Sequence, residues 1–407
     1  MDMDRRTVLK GTGGIVAASA LAGCLGDDDG PEGDMAIWHE LGEGELEVFN
    51  DMVEEFEDET DHDVAVSEVA DLEDRVETAV AAGEGPEMWS WAHDWVGNHW
   101  DRGFLADASD DLTITLEDEF TPAAVEAVQP PGTDAVVGLP AAGETISMFY
   151  NPDLIDEPPE TLEEVLDIAE EFHDPQAGEY GFSQDVNVYT FSWALQAFGS
   201  RIFEVDEDGE AHLGLEDDEM HEGMEIVRDL YEYMPRDLEY DAQVSPFTGG
   251  DVPIHMNGPW AVSDFNDEDA TFEVAELPAI DGGEAAPYTG IDVWYFSDMI
   301  NEDEDRKDVT IEFGEYYTTN EEFQQRWADE QFYIPVIQDI DEDGLPDEVA
   351  AFQSAFAQGV AMPVDARMNQ VWEPFEDAIS AVLTDDGDIA EEFASAADSI
   401  RDSWDDE

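Results

Sequence analysis

The sequence predicts an α/β fold of two or more domains, or of one large bilobal one. Three observations point there. The chain has 407 residues, more than one compact core usually holds. Its early part alternates short apolar runs with amphipathic stretches at helical spacing, an order that makes a parallel or mixed sheet flanked by helices. The alternation then continues along the chain without a long structureless gap.

The segments follow in order. Residues 1–23 carry paired arginines, Arg5-Arg6, then an apolar stretch from Gly13 to Gly23 that is shorter than the ~20 residues a membrane span needs. Leu21-Ala22-Gly23-Cys24 follows, so the segment reads as a twin-arginine export signal ending at a lipid-attachment cysteine. Residues 24–34 then form an acidic tether after a lipidated Cys24, with a reach of roughly 17 Å for nine flexible residues. Met35–Trp38 is a strand. The next helix sets Leu46, Phe49, Met52, Val53 and Phe56 on one face. Asp63–Ser67 is a strand, Asp71–Ala82 a helix stopped by Gly83, and Met88–Ala92 a strand. Later helices are predicted over Thr161–His173, Asp218–Tyr233, Arg306–Tyr317, Glu321–Asp329, Arg367–Thr384 and Ile389–Trp404. A hairpin is expected over Phe203–Leu215, turning at Asp206–Gly209. Short strands fit Ile254–Met256, Phe272–Glu276 and Val293–Phe296.

Composition limits the function. There are 13 Lys+Arg against 107 Asp+Glu, a formal net charge of −94, and Lys307 is the single lysine after Cys24. Such a chain repels itself in dilute salt, whereas brine screens it to a Debye length of about 3 Å at 1 M. The composition is that of a protein adapted to extreme salt. Disorder is the competing reading of high charge, but 42% hydrophobic and 11% aromatic residues in periodic positions supply a core. Nucleic acid is excluded as a partner for want of a basic face. Cys24 is the only cysteine, so no intrachain disulfide exists.

Gly85-Pro86-Glu87-Met88-Trp89-Ser90-Trp91-Ala92-His93-Asp94-Trp95 places three tryptophans within seven residues at the carboxyl end of a predicted strand, where ligands of open α/β sheets bind. A sugar ring offers a C–H face that suits an aromatic plane, and a rim of hydroxyls that suits carboxylates. Trp91 with Asp94 offers both. On composition alone an ordinary core is the better fit for the tryptophans.

Four blocks settle the comparison: Gly85–Asp94, Leu139-Pro140 through Glu144 to Tyr150-Asn151-Pro152-Asp153-Leu154, Asn257-Gly258-Pro259-Trp260-Ala261, and Met362-Pro363 through Trp372. In this order and spacing, from Met35 onward, the sequence resembles the maltose/maltodextrin-binding proteins of bacterial and archaeal ABC importers. The resemblance implies a two-lobed periplasmic-binding-protein fold of type II, with an interlobe cleft and a hinge. Residues 35–142 and 292–338 would make the N-terminal lobe, and 143–291 and 339–407 the C-terminal lobe. The chain would cross near Ala141–Thr145, Tyr288–Val293 and 333–346. It further implies oligosaccharide capture without catalysis or cofactor, permease subunits as partners, and a lipid anchor on Cys24 at the outer face of the cytoplasmic membrane. By position in the family blocks, Trp91, Trp260 and Trp372 would stack on sugar, Asp94 and Glu144 would bond hydroxyls, Tyr189 would add an aromatic contact, and Glu43 a polar one. Four departures separate this chain from familiar members: Trp95 stands for an arginine, Glu43 for a lysine, Val186-Asn187-Val188 for a Glu-Pro-Tyr-like contact, and Val262 for a tryptophan. They point to a carbohydrate more firmly than to maltose itself. The same fold serving another solute, such as a different oligosaccharide or glycerol phosphate, and a surface glycosidase remain as alternatives.

Asp339–Gly344 resembles the start of a calcium loop, but the twelfth position is Ala350 where a bidentate Glu is needed, so an exposed acidic loop is expected and no metal. The eight histidines show no paired metal spacing. His93 is expected to pack or bond backbone; His39, after the first strand, is a minor candidate to face the cleft.

Overall fold

The computed structural model describes residues 33–206, 209–338, 340 and 344–406. The export signal, Cys24, nearly all of the tether and most of the Asp339–Gly344 loop lie outside the described residues. Among those described, no helix is long and apolar enough to cross a membrane.

Twelve strands are formed by the described residues: β1 Met35–His39, β2 Val64–Glu68, β3 Met88–Ala92, β4 Gly138–Thr145, β5 Ser147–Tyr150, β6 Ser183–Gln184, β7 Phe203–Val205, β8 Ala211–Leu213, β9 Ile254–Asn257, β10 Glu273–Ala275, β11 Tyr288–Phe296 and β12 Val360–Ala361. The first sheet runs β12-β11-β3-β1-β2, with β4 also on β11. β1 is parallel to β2 and β3, whereas β11 is antiparallel to β3 and β4, so the sheet is mixed. The second sheet runs β10-β5-β9-β6, and β7 with β8 makes the expected hairpin.

The two larger sheets pack on separate main cores. Phe49 and Phe56, from the helix Glu43–Thr60, pack with Trp89, Trp294, Phe313 and Tyr317 around the first. Phe49 lies stacked on Trp294 at 4.9 Å. Met148, Phe182, Trp193, Met224 and Phe375 are among those filling the second. The helices form where pattern and caps agree. Leu72, Val76 and Val80 bury one face of Leu72–Ala82, which ends at Gly83 in the left-handed region. Thr161 and Glu164 close a reciprocal capping box at the start of Leu162–Phe172.

Two strands run from one core to the other. β4 and β11 pair from Gly138–Tyr295 to Thr145–Thr289. Leu139 and Val293 sit in the first core, while Ile146, just past β4, and Tyr288 sit in the second. Ile334 joins the same level: it accepts from the Gly143 N–H at 2.6 Å and donates to Gly143 O at 2.9 Å. Gly143, Ile291 and Ile334, one from each segment where a crossing was expected, are therefore neighbours. His93 adds a clamp, accepting the Ile291 N–H at Nδ1 (2.9 Å) and contacting Met362 O through Nε2 (2.8 Å). This is the backbone role expected for it, and burial pushes its pKa down to about 4.

The helix expected over Arg367–Thr384 is two elements, a 3-10 turn Ala366–Gln370 and an α-helix Trp372–Thr384. Pro374 explains the break: it lacks an N–H and is tolerated only in a first turn. Helices at Trp95–Asp101, Val188–Leu195, Tyr240–Thr248 and Asp347–Gln358 have no counterpart in the sequence reading.

Candidate functional site

A cavity of about 510 Å³ opens where the crossing strands meet both lobes. Six of the seven residues named from sequence line it: Trp91, Asp94, Glu144, Tyr189, Trp260 and Trp372. Glu43 does not. It is the first residue of the helix Glu43–Thr60 and exposed, and the residues facing inward from this region are Glu40, Leu41 and Glu45. His39 is fully buried, accepts the Leu41 N–H at 3.1 Å, and does not line the cavity.

Aromatic rings form the walls. Trp91, the penultimate residue of β3, is 38% exposed and lies flat on buried Trp95 at 4.8 Å and 14°. On the opposite side Tyr189, near the start of Val188–Leu195, meets Trp260 at 5.9 Å and Tyr288 at 6.3 Å. Tyr288 meets Trp372 edge-on at 6.0 Å. Asn187 caps that short helix by accepting the Thr190 N–H, which holds Tyr189 in place.

Carboxyl groups fill the floor and rim. Glu40, Glu45, Glu73, Asp94, Glu144, Asp185, Asp292 and Glu376 line the cavity, and none of the lining residues is Lys, Arg or His. Burial drives up the pKa values of Glu45, Glu73, Asp94, Glu144, Asp185, Asp292 and Glu376. Asp94 reaches about 7 through burial and then the nearby Glu73 charge. Asp292 reaches about 7 through burial and then Glu45. Glu144 stands well above the ordinary range through burial, then Asp292 and Asp94. Asp185 is pushed to about 6 by burial. Burial raises Glu45 as well, although its oxygens accept the Gly42 N–H at 2.7 Å and the Tyr333 hydroxyl at 2.8 Å. Asp94 Oδ1 and Trp372 Nε1 are buried without a protein hydrogen-bond partner of normal geometry. The lining is thus rich in carboxyl oxygens, carries no basic side chain and is flanked by flat apolar faces. It suits a neutral ligand that brings many hydroxyl donors and exposes C–H faces.

The sequence profile described as bacterial extracellular solute-binding protein matches residues 51–389. This chain belongs to that family. A maltotriose-binding protein of Pyrococcus abyssi is 33% identical over 362 residues, covering 87% of this chain and 78% of its own. A maltooligosaccharide ABC transporter solute-binding lipoprotein of Streptococcus pneumoniae is 24% identical over 253 residues, 59% of each chain. The structure of a Thermus thermophilus maltotriose binding protein bound with maltotriose superposes with a TM-score of 0.81 at 23% identity, over 91% of this chain and 99% of that one. The two-lobed fold of type II is therefore established for this solute-binding protein.

Sequence reasoning missed Glu45, Glu73, Asp185, Asp292, Tyr333 and Glu376 in the cleft of this solute-binding protein. Asp292 left a signal: it is the one acid within the apolar run Tyr288–Phe296. Trp95, noted only as a departure, proves to be the support on which Trp91 rests.

Proposed function

We propose that this chain is the extracellular substrate-binding protein of an ABC sugar importer and captures a neutral oligosaccharide of the maltodextrin class in the cleft. The observation that carries the reading is the lining itself: aromatic planes on opposite walls, eight carboxyl groups, and no basic side chain. Trp91, Trp260 and Trp372 stack on ring faces, while Asp94 and Glu144 accept hydroxyl hydrogens. The names of the Pyrococcus and Streptococcus relatives support the sugar and the transporter.

Mechanism follows from binding between lobes. The hinge is assigned to the crossings at Ala141–Thr145, Tyr288–Val293 and 333–346, with the lobes divided as the sequence suggested. A ligand that touches both lobes favours the closed form by its differential contacts, and the closed form docks on the permease subunits. No bond of the ligand is broken. An anionic solute such as glycerol phosphate would enter eight carboxyl groups without a counter-charge, which opposes that alternative.

The test is a calorimetric titration with maltotriose in multimolar potassium chloride, followed by chromatography of the sugar. Saturable binding with the sugar intact is expected. Trp372→Ala should weaken it by about 1–3 kcal/mol with the fold retained. Released glucose would indicate a glycosidase, and wild-type affinity in the variant would remove Trp372 from the site. The lipid anchor is part of the same proposal: Cys24→Ser should release the protein into the medium or block its maturation, and unchanged membrane retention would count against it.

A further inference from the structure

We propose that Glu73, Glu77 and His99 form a binding site for a divalent transition cation of the Zn²⁺ type, beside the sugar cleft. Glu73 and Glu77 stand one turn apart on the helix Leu72–Ala82 and project from one face. His99 comes from the helix Trp95–Asp101. One ligand atom from each of the three lies within 4.8 Å of the other two.

The histidine is the independent sign. His99 is fully buried, and neither Nδ1 nor Nε2 has a hydrogen-bond partner. Its neighbours are the rings of Trp89, Trp95, Phe104 and Tyr295, at 5.1 to 6.3 Å, which leave the imidazole dry. A neutral imidazole carries one N–H and one lone pair, and burying both unmet is costly. The other two members of the group are carboxylates, which have lone pairs to give and no proton when ionised. A cation satisfies all three acceptors together.

The donor set selects the ion. One imidazole nitrogen with two carboxylate oxygens suits borderline cations such as Zn²⁺ or Co²⁺, whereas Ca²⁺ and Mg²⁺ prefer oxygen alone. Three protein ligands leave one position open for water. Glu73 also accepts from Asn369 Nδ2 at 3.0 Å, an outer contact that fixes its orientation. Arg102 pairs with Glu77 and has a side chain 42% exposed, so it can withdraw into solvent when a cation takes over its charge. Because Glu73 also lines the sugar cavity, an ion held here neutralises part of the cleft rim.

Cobalt is the probe, because a chain with 107 acidic residues binds cations loosely all over its surface. Co²⁺ is titrated into the intact protein in multimolar potassium chloride while its visible absorption is recorded. Expected is an intense band typical of low-coordinate, imidazole-ligated cobalt, saturating at one equivalent and displaced by Zn²⁺. Glu77→Gln and His99→Gln should abolish it, and Arg102→Gln should tighten binding. Zn²⁺ should raise the melting temperature of the wild type but not of Glu77→Gln. A weak, non-saturating octahedral spectrum, or one unchanged in the variants, overturns the site. If His99→Gln fails to fold, Glu77→Gln decides alone, since Glu77 is only partly buried and serves no core.

Discussion

Asp94 would join the proposed recognition of sugar to stability through one side chain. Its carboxyl is buried in a cleft that offers no cation, and its pKa rises from 3.8 to about 7. A folded-state pKa above the unfolded value means that the native protein holds the proton more tightly. The associated stability is full below about pH 4 and is lost as the pH climbs through about 7. Asp94→Asn removes this titration. Without sugar, the melting temperature of the variant relative to wild type should therefore rise between pH 5 and pH 8, while its affinity for maltotriose falls. A pH-independent difference would mean that Asp94 is not the titrating group. Tyr189 and Trp260 illustrate the complementary rule, since the polar tip of one and the broad face of the other can both be used only at the edge of a core.

At the scale of elements, the β4–β11 pair deserves most of the explanation. Gly290 faces Glu144 across the ladder, and a Cβ placed there would lie 2.5 Å from Glu144 Oε1. Gly290→Ala should push that carboxylate aside and weaken maltotriose binding at least as much as Glu144→Gln, with the far-ultraviolet circular dichroism spectrum unchanged; full affinity would mean the side chain yields freely. These two strands also mark the boundary of what sequence reveals. β1, β2 and β3 were legible because their apolar residues are flanked by turn and helix signals. Gly138–Thr145 reads Gly-Leu-Pro-Ala-Ala-Gly-Glu-Thr, with little of the β-branched character of a strand, and is extended because β11 and Ile334 pair with it. Tyr240–Thr248 contains Pro246, a local signal against helix that tertiary packing of Val244 and Phe247 overrides. In the site, Trp91, Asp94, Trp260 and Trp372 were found because each sits in a distinctive short block. Glu45, Asp185 and Glu376 were hidden among 107 acids, where only burial singles them out.

At the scale of the molecule, charge is the governing term. Arg306 makes a two-pronged pair with Glu87 at 2.6 and 2.7 Å, and Arg326, Arg367 and Arg401 each engage carboxylates locally. Such pairs stitch neighbouring elements but leave the surplus of −94 untouched. Lowering the salt from 1 M to 0.01 M lengthens the Debye screening distance from about 3 to about 30 Å, comparable with a whole lobe. Dilution should therefore unfold the protein, seen as loss of the circular dichroism signal, and maltotriose should shift the midpoint to lower salt. A structure that persists without salt would refute the reading of the composition as an adaptation to brine.

The Trp91–Trp95 stack carries an optical consequence. Two indoles stacked nearly parallel at 4.8 Å couple their transition dipoles, so they absorb as an exciton pair rather than as separate chromophores. Both line the cavity, but Trp95 is buried whereas Trp91 is exposed. A ring laid on Trp91 changes the surroundings of one partner without disturbing the geometry of the pair. The protein thus contains its own label: near-ultraviolet dichroism and emission colour register occupancy at the wall of the cleft, with no dye and no engineered residue.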